Sequence, residues 1–167
     1  MPLLTRGPAP IVYTPIGVIH TPFLARKDTP GQGVFSDGAR GRVELFEAFR
    51  DGLADIDAFS HLVLLFHLDR ADGYSLSTIP LIDDRPRGVF ATRHYNRPNP
   101  IGFSIVRLDR VVGTVLEVSD VDMLDKTPLL DLKPYVSHFD RREAVRNGWY
   151  DEPGIDFTRA RAGHHRG

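Results

Sequence analysis

The chain has 167 residues, of which 41% are hydrophobic and 26% are charged, and its formal net charge is −1. This size and composition are typical of one soluble globular domain, and the charge excludes a protein that is basic throughout. The complete absence of cysteine excludes disulfides, thiolate nucleophiles and cysteine-ligated zinc.

Residues 1–10 predict a flexible lead-in without regular structure. They contain no apolar run of the kind found in signal peptides, and no later segment is long enough to span a bilayer. We therefore expect a cytoplasmic protein whose body lies in residues 11–140.

Short apolar segments follow one another along that body, separated by turn-forming residues. The predicted strands cover residues 16–21, 41–46, 61–68, 88–93, 103–112, 115–118 and 129–132. The run over 61–68 is continuously apolar and predicts a strand buried on both faces. A short helix or helical turn is predicted over 47–56, and Gly113 and Thr114 predict a hairpin turn. Because long helices do not alternate with the strands, we predict a mainly β fold, a single antiparallel β-barrel with a few short helices.

The C-terminal part, residues 141–167, is predicted to be a helix followed by a mobile tail. Asp140 and Glu143 form a capping-box pattern that predicts a helix over residues 140–146. Trp149 is expected to dock this tail on the barrel. The last residues, rich in arginine, glycine and histidine, are expected to be mobile.

Residues 85–104 are the most distinctive stretch of the sequence. Pro98 and Pro100 stiffen a loop, and Gly102 permits a sharp turn into the following strand. Six arginines fall in or just after this stretch, namely Arg85, Arg87, Arg93, Arg97, Arg107 and Arg110. A rigid loop with clustered guanidinium groups suits a phosphate or carboxylate ligand. A solvated basic face around a structural turn explains the same pattern equally well.

Two kinds of catalytic site are weakly indicated. His61 and His67 share a face of their predicted strand and His94 could join them, but no carboxylate lies at ligand spacing. Ser104 follows Gly102, but the surrounding residues are not the Gly-x-Ser-x-Gly elbow of hydrolases. The sequence thus predicts no metal site and leaves the catalytic residues unknown.

Five motifs together resemble the TrmO family (TsaA-like domain) of tRNA methyltransferases, over about residues 16–135. They read Ile16-Gly17-Val18-Ile19-His20-Thr21-Pro22-Phe23, Phe59-Ser60-His61-Leu62, Gly88-Val89-Phe90-Ala91-Thr92-Arg93, Arg97-Pro98-Asn99-Pro100-Ile101-Gly102 and Asp131-Leu132-Lys133-Pro134-Tyr135. The set is specific, although no single motif is.

The resemblance implies a β-barrel enzyme that binds S-adenosylmethionine, works as a homodimer and methylates N6-threonylcarbamoyladenosine next to the anticodon of tRNA. It implies cofactor contacts at Pro30, Gly31, Gln32, His67, Leu68, Arg93, Phe103, Leu124, Asp125, Lys126 and Thr127. Arg93 suits the carboxylate of that cofactor. A basic rim of Arg85, Arg97 and Arg107 could meet tRNA phosphates.

The chain departs from the longer bacterial relatives in three ways. It has Gly31 where they carry arginine and Lys126 where they carry glycine, and we expect it to lack their additional C-terminal domain. Two alternatives therefore stay open: a methyltransferase of the same fold that acts on a small molecule, and a non-catalytic module that binds the cofactor or RNA.

Overall fold

A computed structural model describes residues 9–161 of the chain. Over that range it contains eight strands: β1 (Gly17–His20), β2 (Arg40–Leu45), β3 (His61–His67), β4 (Ser77–Thr78), β5 (Arg87–Gly88), β6 (Ile101–Val112), β7 (Val115–Ser119) and β8 (Thr127–Pro134). The helices over that range are one short α-helix, α1 (Ser137–Asp140), and seven 3₁₀ helices: Arg26–Asp28, Gly33–Phe35, Glu47–Leu53, Ile56–Ala58, Val89–Ala91, Gly148–Asp151 and Phe157–Ala160.

Six of the strands close into an antiparallel barrel in the order β1-β2-β7-β6-β3-β8, which confirms the predicted fold. β4 and β5 form a separate two-stranded sheet. The long strand β6 pairs with all of β3 and then with β7 through the predicted hairpin, in which Gly113 has φ 61°. Closure pairs every barrel strand on both sides, so the barrel has no free edge.

The core lies inside the barrel and follows the two-residue period of its strands. On β3, Leu62, Leu64 and Phe66 point inward and are at most 3% exposed. The alternate residues Val63 and Leu65 are only half-buried. The prediction that this strand is buried on both faces was therefore wrong, because no layer of the described chain fully covers its outer face.

The predicted strand over residues 88–93 was also wrong. β5 ends at Gly88, and Val89–Ala91 forms a 3₁₀ helix closed by the Thr92 backbone N–H donating to the Val89 carbonyl oxygen. Val89 and Thr92 are both buried, at the three-residue spacing of a 3₁₀ turn. The alternation of apolar residues in this segment was too short to distinguish the two structures.

The predicted helix over residues 140–146 was wrong as well. The Asp140 carboxylate accepts a hydrogen bond from the backbone N–H of Val136, so it closes the preceding turn instead of starting a new helix. Arg141 is extended, and Ala144 has φ 51°, which interrupts any helix. The observed α-helix therefore ends where the predicted helix begins.

The C-terminal segment nevertheless packs on the rest of the protein through Trp149, although its contacts are with segments beside the barrel and not with a barrel strand. The Trp149 indole N–H donates to the carbonyl oxygen of Ala91 at 2.8 Å, and Trp149 packs with Ile82 and Ala160 in a second small apolar cluster. Residues 1–8 and 162–167, which hold most of the predicted lead-in and the end of the predicted tail, lie outside the described residues. Between residues 9 and 161, no helix has the length and apolar character needed to cross a membrane.

Candidate functional site

A cavity of about 470 Å³ opens beside β6, where four loops meet. The loops are residues 26–32, before β2, residues 68–71, after β3, residues 92–97, before β6, and residues 122–126, between β7 and β8. The cavity is lined by Arg26, Thr29, Pro30, Gly31, Gln32, Phe66, Leu68, Asp69, Arg70, Ala71, Thr92, Arg93, Tyr95, Arg97, Ile101, Gly102, Phe103, Ser104, Asp122, Met123, Leu124 and Thr127. Its size lies within the range of ligand pockets, roughly 300–1,000 Å³.

The structure brings most of the predicted cofactor residues together around this cavity, although they come from distant parts of the chain. Those that line it are Pro30, Gly31, Gln32, Leu68, Arg93, Phe103, Leu124 and Thr127. Their contacts with the cofactor stay predictions.

Arg93 joins two of the loops. Its guanidinium donates to the side-chain oxygen of Gln32 at 2.5 Å and lies 5.5 Å from the centre of the Phe103 ring. The side chain is thereby fixed at the mouth of the cavity, although Arg93 itself is exposed. A guanidinium held in this way can pair with a ligand carboxylate.

The loop between β7 and β8 is held by hydrogen bonds to its own backbone and to Arg70. Thr127 is 3% exposed, and its hydroxyl donates to the carbonyl oxygen of Leu124 at 2.7 Å. The Arg70 guanidinium donates to the carbonyl oxygen of Asp125 at 2.6 Å. These bonds fix the position of Leu124 in the cavity wall.

Three of the predicted cofactor residues do not line the cavity. His67 is exposed at the end of β3, where its odd position in the strand places it opposite to the inward-facing Phe66. The Asp125 carboxylate accepts from the backbone N–H of Thr21 and so supports the end of β1. Lys126 is exposed and has φ 63°, a left-handed conformation that favours glycine.

Gly31 and Gly33 let their loop approach two other segments closely. The Gly31 backbone N–H donates to the carbonyl oxygen of Ala160 at 2.6 Å, and a Cβ at Gly31 would lie 3.2 Å from the Cβ of Ala160. A Cβ at Gly33 would lie 2.3 Å from the carbonyl oxygen of Asp120. The C-terminal segment thus supports the predicted cofactor loop, a contact that the sequence did not reveal.

Asp122 is a functional candidate that sequence reasoning missed, and its partner Ser104 was considered only as a weakly indicated hydrolase nucleophile. Ser104 is 4% exposed on the inner side of β6, and its hydroxyl donates to the Asp122 carboxylate at 2.5 Å. Burial raises the pKa of Asp122 to about 6, although the bonds from Ser104 and from the Gly33 backbone and the charge of Arg93 act against this rise. No local motif marks either residue, because the pair is formed across 18 residues of sequence.

Tyr95 lines the cavity, and its ring packs against His94 and Arg26. The rings of His94 and Tyr95 stack with centroids 4.3 Å apart, and the guanidinium of Arg26 lies 4.1 Å from the centre of the Tyr95 ring. Burial lowers the pKa of His94, and the charges of Arg26 and Arg97 lower it further. Stacked aromatic rings next to a cavity are a surface on which a nucleobase can stack.

The predicted basic rim is tied to internal partners. Arg85 pairs with Asp83 and Glu152, and Arg107 pairs with Asp109, although both arginine side chains remain more than 50% exposed. Arg97 lines the cavity and donates to backbone carbonyl oxygens of its own loop. The three arginines thus do not form one continuous hydrogen-bonded group in the described part of the chain, and their role in RNA binding stays a prediction.

The described residues show neither of the two weakly indicated catalytic sites. Within residues 9–161, no three histidine, cysteine, aspartate or glutamate side chains are grouped as metal ligands. The Ser104 hydroxyl donates to a carboxylate, whereas the nucleophile of a serine hydrolase donates to a histidine.

A closed antiparallel barrel with a cavity between its loops, lined by both polar and apolar side chains, is typical of small β-barrel proteins that bind one small ligand. Within this class, the chain belongs to the tRNA-methyltransferase O family, because the model of that family's N-terminal domain matches residues 18–141.

Comparison with individual proteins agrees with this assignment. The chain is 48% identical to a probable S-adenosyl-L-methionine-binding protein of Pyrococcus abyssi, over 92% of this chain and 84% of the relative. It is 31% identical to the human tRNA (adenine(37)-N6)-methyltransferase, over 89% of this chain but 34% of that enzyme. A crystal structure of TrmO from Pseudomonas aeruginosa matches with a TM-score of 0.73 and 37% identity, over 89% of this chain and 65% of that chain.

Proposed function

We propose that this protein binds S-adenosylmethionine in the cavity and transfers its methyl group to N6 of N6-threonylcarbamoyladenosine beside the anticodon of tRNA. The names of the Pyrococcus and human relatives support cofactor binding and methylation of adenine N6, respectively. The observation that carries the proposal is that residues from distant parts of the chain, each implied by the family resemblance to contact the cofactor, meet around one cavity.

The walls of the cavity suit the two ends of this cofactor. Phe66, Met123 and Leu124 provide apolar surface for the adenosyl part, and Arg93 is placed to pair with the carboxylate of the methionine part. When bound, S-adenosylmethionine supplies an electrophilic methyl group on a sulfonium. Because its transfer is an in-line displacement, correct positioning of the two reactants can supply most of the rate.

Calorimetry with S-adenosylmethionine tests the cofactor site. Arg93→Ala is expected to weaken binding by about 10- to 100-fold, as is typical when a hydrogen-bonded ionic partner is removed. Arg110→Ala is the matched control, because Arg110 lies on β6 outside the cavity and pairs with Glu117. Equal affinities of the two variants would show that the pocket is wrongly assigned.

Mass spectrometry of tRNA nucleosides tests the reaction. Purified protein is incubated with the cofactor and with tRNA that either carries or lacks the threonylcarbamoyl group, and the methylated nucleoside is expected only from the modified tRNA. Methylation of a metabolite but not of tRNA would favour the small-molecule alternative. Cofactor binding without any methyl transfer would favour a non-catalytic binding module.

The proposal also implies that tRNA phosphates bind at the basic rim of Arg85, Arg97 and Arg107. Arg107→Ala is expected to weaken tRNA binding and to flatten its salt dependence by roughly one unit per lost phosphate contact, while cofactor affinity changes little. Loss of thermal stability with an unchanged salt slope would instead assign Arg107 to its ion pair with Asp109.

We further propose that the working unit is a homodimer. The outer side of β6 carries an exposed apolar row of Ile101, Phe103 and Ile105, each at least 40% exposed, and apolar patches of this kind often mark an interface. Ile101 and Phe103 also line the cavity, so the proposed interface would border the cofactor site. Light scattering tests the proposal with Ile105→Glu, which is expected to yield monomers. Val112→Glu is the control at the far end of the same strand, and a monomeric unmodified protein would contradict the proposal.

A further inference from the structure

The cavity contains a carboxylate whose surroundings suit proton transfer. Asp122 and Asp69 are the two aspartates among the cavity-lining residues. Asp69 is exposed and pairs with Arg70 at 3.2 Å. Asp122 is part-buried and bonded to a buried hydroxyl, that of Ser104. The two carboxylates therefore differ in solvation, and only Asp122 is held in a poorly solvated position.

The groups around Asp122 come from three different elements. Ser104 faces it from β6, the backbone N–H of Gly33 faces it from the 3₁₀ helix Gly33–Phe35, and Arg93 contributes a positive charge from the loop before β6. The other charged or titratable side chains that line the cavity are Arg26, Asp69, Arg70, Tyr95 and Arg97. The carboxylate is thus fixed in position by neutral donors and faces one fixed cation.

Together, these surroundings allow the Asp122 carboxylate to act as a base near neutral pH. Burial raises the pKa of Asp122 to about 6, and the Ser104 bond, the Gly33 bond and the Arg93 charge keep it from rising further. At pH 7 such a group is mostly ionised, and a base works best when its pKa lies close to the working pH.

We propose that the Asp122 carboxylate is the general base that accepts the proton from N6 of the target adenosine during methyl transfer. This inference depends on the proposed function. The N6–H bond breaks as the N6–CH₃ bond forms, and the proton passes to a carboxylate oxygen of Asp122. The S–CH₃ bond breaks, and its electron pair stays on sulfur to give S-adenosylhomocysteine. Asp122 then loses the proton to solvent.

A purely structural role would account for the same hydrogen bonds. In that case Asp122 only ties β6 to the Gly33 loop, and any side chain that accepts those bonds would suffice. Asp122→Asn separates the two roles, because the amide oxygen can still accept from Ser104 and Gly33 but cannot act as a base at neutral pH.

The test measures single-turnover methylation of threonylcarbamoyl-containing tRNA at saturating tRNA, between pH 5 and 9. Asp122→Asn is expected to bind S-adenosylmethionine normally by calorimetry and to methylate at least about 100-fold more slowly, the lower end of general-base contributions. Asp109→Asn is the matched control, because Asp109 also accepts from a serine hydroxyl, that of Ser119, but lies outside the cavity. Its rate and pH profile should match those of the unmodified protein.

The dependence of the methylation rate on pH distinguishes a general base from a structural residue, because a structural residue would not change it. The rate of the unmodified protein should fall below about pH 6 as Asp122 becomes protonated. Ser104→Ala removes a bond that lowers the pKa of Asp122, so the fall should begin at a higher pH. An unchanged profile in Ser104→Ala, or an Asp122→Asn rate within threefold of normal, would overturn the inference while leaving the proposed function intact. Loss of cofactor binding in Asp122→Asn would also overturn it, and absence of methylation by the unmodified protein would overturn both.

Discussion

The contact between Gly102 and Phe66 gives the sharpest prediction about the barrel. The two residues are direct partners between β6 and β3, and the Phe66 ring fills the space where Gly102 has no side chain. A Cβ at position 102 would lie 2.0 Å from the ring atom Cε2 and 2.5 Å from Cδ2 and Cζ. Carbon atoms normally approach to about 3.5–4.0 Å, so the ring would have to move by roughly 1.5 Å.

Gly102→Ala is therefore expected to lower the free energy of unfolding by about 1–3 kcal/mol, the usual cost of overpacking a core. Phe66 is 3% exposed and cannot swing into solvent without breaking other contacts. For a chain of this size, the melting temperature should fall by about 2–12 °C. Cofactor affinity should fall as well, because both residues line the cavity.

Thermal and urea unfolding measure this effect against a matched glycine. Gly88→Ala introduces the same methyl group at φ −61° with nothing within 4 Å, so its stability should be unchanged or slightly higher. Phe66→Leu in the Gly102→Ala background should recover part of the loss, which a double-mutant cycle records as a coupling between the two sites. Equal stability of the two alanine variants would refute the steric argument.

Three further substitutions test other parts of the structure. Gly31→Arg should force the segment around Ala160 away from the cofactor loop, so limited proteolysis should cut the C-terminal segment faster. An unchanged rate of cleavage would contradict the importance of the contact between Gly31 and Ala160. Lys126→Gly should raise the free energy of unfolding by about 1 kcal/mol in urea unfolding, because it relieves a left-handed residue, and a loss of stability would contradict that reasoning. Burial opposes ionisation of Asp83, but hydrogen bonds from Arg87 and from two backbone N–H groups lower its pKa to about 2. Because the pKa of Asp83 is lower in the folded than in the unfolded protein, its ionised carboxylate stabilises the fold fully above about pH 4, and this stabilisation is lost as the pH falls towards 2. Asp83→Asn should therefore lower the free energy of unfolding at pH 7 and much less at pH 2, as urea unfolding at the two pH values measures.

The sequence predicted the barrel because its strands depend on local patterns. Alternation of apolar residues is visible within a few positions, and each of the six barrel strands was predicted with its ends shifted by only a few residues. The Arg-Pro-Asn-Pro segment lies in the loop before β6, as expected. The expected turn at Gly102 was wrong, because Gly102 is the second residue of β6, has no positive φ, and leaves room for the Phe66 ring. The cofactor loops were placed by the family resemblance, and most of their residues meet around the cavity.

Short segments with ambiguous patterns were predicted less well. Over residues 88–93, alternation would bury Val89 and Ala91, whereas the observed 3₁₀ turn buries Val89 and Thr92. The segment is too short for the local sequence to choose between them. At residue 140, a capping-box pattern was present, but the carboxylate bonded backward to Val136. In both places the competing local structures have similar energies, and the contacts of the folded chain decide between them.

The charges of the site were decided only by the tertiary structure. An arginine cluster in the sequence does not reveal its partners, because Gln32 lies 61 residues from Arg93 and Glu152 lies 65 residues from Arg87. Asp122 carried no signal in the sequence, since its raised pKa arises from burial among groups brought in by three separate elements. Local patterns determine which backbone forms, whereas solvation and charge pairing depend on distances through space, and these are fixed only when the barrel closes.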